Sequence, residues 1–125
     1  MLMHFEVANG GIEQDSPLIY MWEIRTQSGD LVGRYVGKAK AGASRPLKHY
    51  RRNVQNLLAS KPYRKSNPNG YRRVHHALAD AHRLGHTIVL SFLCKVDVAE
   101  DINEVERQCI TAQNSKGKEP WQLND

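Results

Sequence analysis

Between Leu31 and Ala79 the chain has no Asp or Glu at all, an absence that covers more than a third of its 125 residues. It is also poor in cysteine, with only Cys94 and Cys109, and poor in aromatic residues at 7%. No run of 18 apolar residues exists, and no basic segment followed by an apolar run opens the chain. The sequence therefore predicts neither a membrane span nor a secretory leader, and a cytoplasmic, intracellular location is expected. Two cysteines, one in a predicted strand and one on the apolar side of a predicted helix, suit buried free thiols in a reducing compartment better than a disulfide framework. With 40% apolar residues over this length, one domain with one modest core is expected.

Cations fill the acid-free window. Arg34, Lys38, Lys40, Arg45, Lys48, Arg51, Arg52, Lys61, Arg64, Lys65, Arg72 and Arg73 account for 12 of the 18 Lys and Arg residues, in a chain of net charge +5. Such a concentration favours a polyanion, most commonly a nucleic-acid backbone, over the alternative of a merely solvated surface.

Within this pattern, residues 18–39 stand out. Leu18 to Thr26 and Leu31 to Ala39 are alternating apolar runs joined by Gln27-Ser28-Gly29-Asp30, which is turn chemistry, so a β-hairpin is predicted. Leu18, Tyr20, Trp22 and Ile24 share one face of its first strand, and Tyr35 shares a face with Gly33 and Gly37, where something can approach the backbone closely.

After the hairpin, Ser44 can cap a helix that tolerates Pro46 in its first turn. Leu47, Tyr50, Val54, Leu57 and Leu58 form its apolar stripe, with Arg45, His49, Arg52 and Asn56 nearly opposite. Residues 61–70 (KPYRKSNPNG) read as a loop and a candidate strand contact. A second helix from about Tyr71 to Leu84 places Val74, Ala77, Leu78, Ala81 and Leu84 on one side, ending at Gly85. His86 to Val96 reads as a strand buried on both faces and central in the sheet. Asp101, with Glu104 three residues on, starts a third helix in a capping-box pattern. On it Ile102, Val105, Cys109 and Ile110 face inward, and Glu106 projects among them. A carboxylate aimed at a core is costly without a cation, metal or donor to meet it. His75, His76, His82 and His86 raise a zinc reading, but the one i, i+4 pair, His82 and His86, straddles a helix end, with no Cys pair beside it.

Leu18-Ile19-Tyr20 followed by Tyr35-Val36-Gly37-Lys38 resembles the paired signature of the GIY-YIG nuclease family. Arg45 and His49, Glu106 and, near the end, Asn124 follow in the family's order, so the likeness spans about residues 17–124. It departs at Leu18, where the motif has Gly, and in a hairpin longer than usual. The resemblance implies an α/β (α+β) fold with a small three-stranded mixed or antiparallel sheet flanked by helices. Residues 1–16 are then an N-terminal extension, possessing at most an edge strand within Leu2 to Val7, and 17–125 the nuclease domain, without a separate specificity domain.

By the same resemblance the catalytic residues are Tyr20, Tyr35, Arg45, His49, Glu106 and Asn124. Glu106 holds one Mg²⁺ or Mn²⁺, a hard cation that keeps most of its waters. Arg45 binds the scissile phosphate. Tyr20 takes the proton of the attacking water, which requires its pKa of about 10 to be lowered by Lys38 or the metal. Tyr35 and His49 orient water and phosphate, and Asn124 braces the site from a segment expected to fray. Lys38, Lys40, Lys48, Arg51, Arg52, Arg64, Lys65, Arg72 and Arg73 are the expected nucleic-acid contacts. DNA is the expected partner, with RNA not excluded, bound by a monomer or homodimer, with or without a separate specificity protein. The alternatives are a non-catalytic nucleic-acid-binding module of the same fold, an interaction protein, and a zinc enzyme using the histidines.

Overall fold

In the computed structural model of the chain, residues 3–125 are described. The elements run β1 (Glu6–Ala8), β2 (Leu18–Arg25), β3 (Leu31–Ala39), a π-helical turn (Arg45–His49) leading directly into α1 (Tyr50–Leu58), α2 (Arg73–Leu84), β4 (Thr87–Lys95) and α3 (Ile102–Gln113). This is an α+β domain, but its sheet has four strands, not three, in the order β1-β4-β2-β3. The added strand, β1, runs parallel to β4, pairing Glu6 to Ala8 with Val89 to Ser91. It overlaps the edge strand allowed within Leu2 to Val7, of which residue 2 lies outside the described residues, but it sits at Glu6–Ala8, short, exposed and without alternation. Residues 3–16 are also not a detached extension: Met3 lies in the core, and Phe5 meets Trp22 edge to face at 5.0 Å.

The hairpin forms as its chemistry dictates. Thr26 N–H donates to Asp30 O and Gly29 N–H to Thr26 O, closing the turn, and a bulge follows Ile24. β2 is interior, antiparallel to both β3 and β4. Its alternation therefore feeds two layers. Leu18, Tyr20, Trp22 and Ile24 pack with Ile88, Leu90 and Phe92 beneath Tyr50 and Val54 of α1 and Val74 and Leu78 of α2. Ile19, Met21 and Val36 face Ile102, Val105, Cys109 and Ile110 of α3 on the opposite side. Each fully buried large side chain contributes about 1.5–3 kcal/mol. β4 is interior as expected, yet its second face is only half covered, because α3 lies over β2 and β3.

Helix boundaries differ from expectation where capping was inferred. Ser44 makes no side-chain cap bond, and the first turn after it is π-helical. α2 begins at Arg73 rather than Tyr71 and leaves Leu84 exposed at its end, where Gly85 takes φ 69°. Asp101 does cap α3, accepting from Asn103 N–H at 2.9 Å, but Glu104 turns to Arg107, so only half the capping box forms.

The C-terminal segment, expected to fray, is instead paired to the sheet. Arg34 N–H donates to Trp121 O at 2.8 Å and Leu123 N–H to Arg34 O at 3.0 Å, extending backbone pairing along the outer edge of β3. Asn124 completes it with its side chain: Oδ1 accepts from Val36 N–H and Nδ2 donates to Val36 O, both at 2.8 Å. An exposed strand edge is thereby covered.

Candidate functional site

The register sets Tyr20 opposite Gly37. A Cβ at Gly37 would collide with Cζ and the hydroxyl of the Tyr20 ring, so this glycine is the reason the phenol can lie across β3. The close approach that the glycines around Tyr35 suggested is thus made by Tyr20 from the neighbouring strand. Gly37→Ala is expected to displace the phenol and to cost about 1–3 kcal/mol through overpacking. A denaturant midpoint equal to that of the unchanged protein would contradict this.

Around that crossing lies an open cleft of about 530 Å³, lined by Tyr20, Tyr35, Lys38, Lys40, Ala41, Arg45, His49, Arg72 and Glu106. Five of the six residues taken as catalytic come together there from β2, β3, the π-helical turn and α3. The sixth, Asn124, does not line the cleft; it holds the backbone of Val36, between Tyr35 and Gly37.

Hydrogen bonds join the phenols. Tyr20 hydroxyl donates to Tyr50 hydroxyl at 2.9 Å in the buried floor. Arg72 donates to Tyr50 hydroxyl at 2.8 Å and to Tyr35 hydroxyl at 3.0 Å, its guanidinium 5.6 Å from the Tyr35 ring centroid. Arg72 and Tyr50 are therefore central to the site, although the sequence offered Arg72 as one cation of a run and Tyr50 as part of an apolar stripe. A phenol's polar tip is invisible to periodicity.

Burial reverses one electrostatic expectation. Tyr20 is 1% exposed, and its pKa is pushed up to about 12 by burial and the neighbouring Tyr35, against the opposing pull of Tyr50 and Arg45. Burial also drives Tyr50 upward. Lys38, expected to lower Tyr20, points instead to α3, donating to Asn103 and standing 3.8 Å from Glu106.

Among the described residues Glu106 is the one carboxylate lining the cleft, with its side chain 20% exposed. Among the described residues no three His, Cys, Asp or Glu side chains form a ligand set. A single carboxylate of this kind would hold only a hard divalent cation that keeps most of its own water.

The cation window is partly neutralised in three dimensions by acids outside it. Arg34 pairs with Glu23 at 2.7 Å, and Arg73 reaches Asp125 and Gln122 O. Arg51 stacks over Phe5 at 4.6 Å, away from the cleft. Arg73 and Arg51 thus each have a structural partner within the fold, Arg73 in an exposed ion pair that screens its charge only partly. Lys40, Arg45, Lys48, Arg52, Arg64, Lys65 and Arg72 have no acidic partner among the described residues.

His75 is 2% exposed, packed against Tyr50, Tyr63 and Tyr71. Its Nδ1 accepts from Arg72 N–H at 3.0 Å, which leaves the proton on Nε2. Burial, then Arg72 and Arg45, lower its pKa to about 4 from 6.5. Below pH 6.5 the unfolded chain therefore takes up a proton that the folded chain refuses. The stability this provides is complete above pH 6.5 and is lost as pH falls towards 4, about 3 kcal/mol across the window. His75→Gln is expected to flatten the urea midpoint between those pH values, and an unchanged acid slope would assign it to other groups.

The chain matches no family model, no curated protein and no solved structure. No helix among the described residues is long and apolar enough to cross a membrane.

Proposed function

We propose that the protein is a divalent-metal-dependent endonuclease that hydrolyses phosphodiester bonds in DNA, acting in the cytoplasm as a monomer or homodimer. The observation that carries this reading is the cleft itself, where two tyrosines, a histidine, two arginines, two lysines and one carboxylate converge from separate elements. Phosphodiester hydrolysis needs charge stabilisation at the phosphate, an activated water and a place for a hydrated cation, and this set holds a candidate residue for each.

Arg45 and Arg72 present fixed, permanently charged donors to the phosphate oxygens. Tyr35 accepts from Arg72, so its own hydroxyl hydrogen is free to donate to a phosphate oxygen or to water. Tyr20 is the candidate acceptor of the water's proton, and His49, also in the cleft lining, helps orient the substrate. Glu106 would hold the Mg²⁺ or Mn²⁺, which when bound supplies positive charge to the phosphate and makes ionisation of water easier.

Supercoiled plasmid incubated with the purified chain should be nicked or linearised with Mg²⁺ or Mn²⁺ and left intact with a chelator. Cleavage unaffected by the chelator, or absent with both metals, would overturn the proposal.

One observation favours a second reading, a nucleic-acid-binding module of the same fold. Tyr20 is buried and held neutral, unlike a base poised near the working pH. Salt-dependent DNA affinity without cleavage would establish that reading instead.

A further inference from the structure

Beside the cleft, and sharing Arg45, His49 and Arg72 with it, is a more enclosed pocket of about 200 Å³. Four arginines line it from four places in the chain. Arg45 lies in the π-helical turn, Arg52 on α1, Arg64 in the loop before α2, and Arg72 just ahead of α2. The polar stripe expected on the helix after the hairpin, Arg45, His49, Arg52 and Asn56, forms one wall. The loop of residues 61–70 adds Tyr63 and Arg64 to the lining, with Tyr63 N–H bonded to Pro68 O at 3.1 Å and Arg64 stacked over Tyr63.

Its charge is unbalanced. Among the described residues no carboxylate lines the pocket, and none of the four arginines forms an ion pair. His75, also in the lining, adds a buried Nε2–H with no hydrogen-bond partner. A buried donor without an acceptor costs about 1–3 kcal/mol, and convergent like charges repel, so both features are relieved by an oxyanion.

Size narrows the choice. The space is below the roughly 300–1,000 Å³ of pockets for small organic ligands. At about 30 Å³ per water-sized group it holds about six or seven such groups, room for a phosphate with two or three waters.

We propose that this pocket is a second phosphate subsite, holding the phosphate next to the scissile one on the bound strand, and so fixing the strand's path across the cleft. The proposal rests on the nuclease reading for the identity of the neighbouring scissile phosphate, but its binding chemistry stands apart from cleavage. The shared wall of Arg45, His49 and Arg72 places the two phosphates one side chain apart, and the arginine fork suits phosphate oxygens. An internal phosphodiester and a terminal phosphate monoester offer the same oxyanion.

The test is made without divalent metal, so that failure of cleavage leaves it intact. Arg52 and Arg64 line the pocket but not the cleft, and both are exposed, so the double variant Arg52→Ala/Arg64→Ala should keep its fold. Three arms are compared in it and in the unchanged protein. Inorganic phosphate is titrated while the His75 imidazole resonances are followed. Oligonucleotides carrying one neutral methylphosphonate at successive positions are tested for affinity, and an oligonucleotide is tested with and without a 5′-phosphate.

In the unchanged protein phosphate should shift His75, and two adjacent methylphosphonate positions should each weaken binding by about 10-fold or more. In the double variant the His75 response and one of the two penalties should vanish while the other remains. A gain from the 5′-phosphate that also vanishes in the double variant would identify a strand end as the occupant. Phosphate responses and methylphosphonate penalties identical in the two proteins would overturn the proposal.

Discussion

Glu106→Gln is expected to abolish Mg²⁺- and Mn²⁺-dependent cleavage while leaving DNA affinity at least as strong. Among the described residues no other carboxylate lines the cleft, so no neighbour there can take over the cation. The substitution keeps the side chain's shape but removes its charge, and a neutral amide is a poor ligand for a hard cation that dehydrates reluctantly. Binding moves the other way. Glu106 stands 3.8 Å from Lys38, and its loss frees that ammonium and raises the positive field over the cleft. Helix α3 should be undisturbed, because its apolar contact with the sheet is made by Ile102, Val105, Cys109 and Ile110, and Lys38 keeps its bond to Asn103. Divalent-metal titration by calorimetry supplies a readout independent of rate, with loss of the binding event expected. A Glu106→Gln protein that still cuts in Mg²⁺ would show that the carboxylate only pairs with Lys38.

Which parts of this site were legible in the sequence follows from what each residue signals. Strand alternation has a period of two, so Leu18, Tyr20, Trp22 and Ile24 declared their common face, and the helix stripes around Leu47 and Val54 did the same at 3.6 residues. Glu106 was legible because a carboxylate among Ile102, Val105, Cys109 and Ile110 breaks an apolar stripe. Other roles depend on contacts between distant segments. Arg72 matters because it reaches Tyr35 and Tyr50, which lie 37 and 22 residues away. Asn124 is bound to Val36 across 88 residues. β1 shows no alternation because all three of its residues are exposed. His75 could have been found: Val74, His75, Leu78 and Ala81 share one helix face, so the histidine falls on the buried side and needs a partner.

The same limits apply to Tyr20, whose place the sequence indicates but whose acidity it cannot, and removing its hydroxyl is the sharpest test of catalysis against binding. Tyr20→Phe deletes one buried hydrogen bond, the donation to Tyr50, and should cost stability by about 1 kcal/mol. Tyr50 still accepts from Arg72, so no buried polar group is stranded without a partner. If Tyr20 is the base, the single-turnover rate should fall about 100- to 10,000-fold with DNA affinity unchanged. The pH dependence discriminates further. A group with its pKa pushed up to about 12 is almost wholly protonated near neutrality, so the rate should climb about tenfold per pH unit between pH 7 and 9 without a plateau. A base titrating near neutrality would level off within that range. Tyr50 assists ionisation, since its oxygen is occupied by Arg72 and its hydrogen can turn to meet the Tyr20 phenolate. Tyr50→Phe should therefore push Tyr20 still higher and lower the rate at each pH while preserving the slope. Equal single-turnover rates for Tyr20→Phe and the unchanged protein would remove Tyr20 from the chemistry and leave it as the packed phenol that Gly37 makes room for.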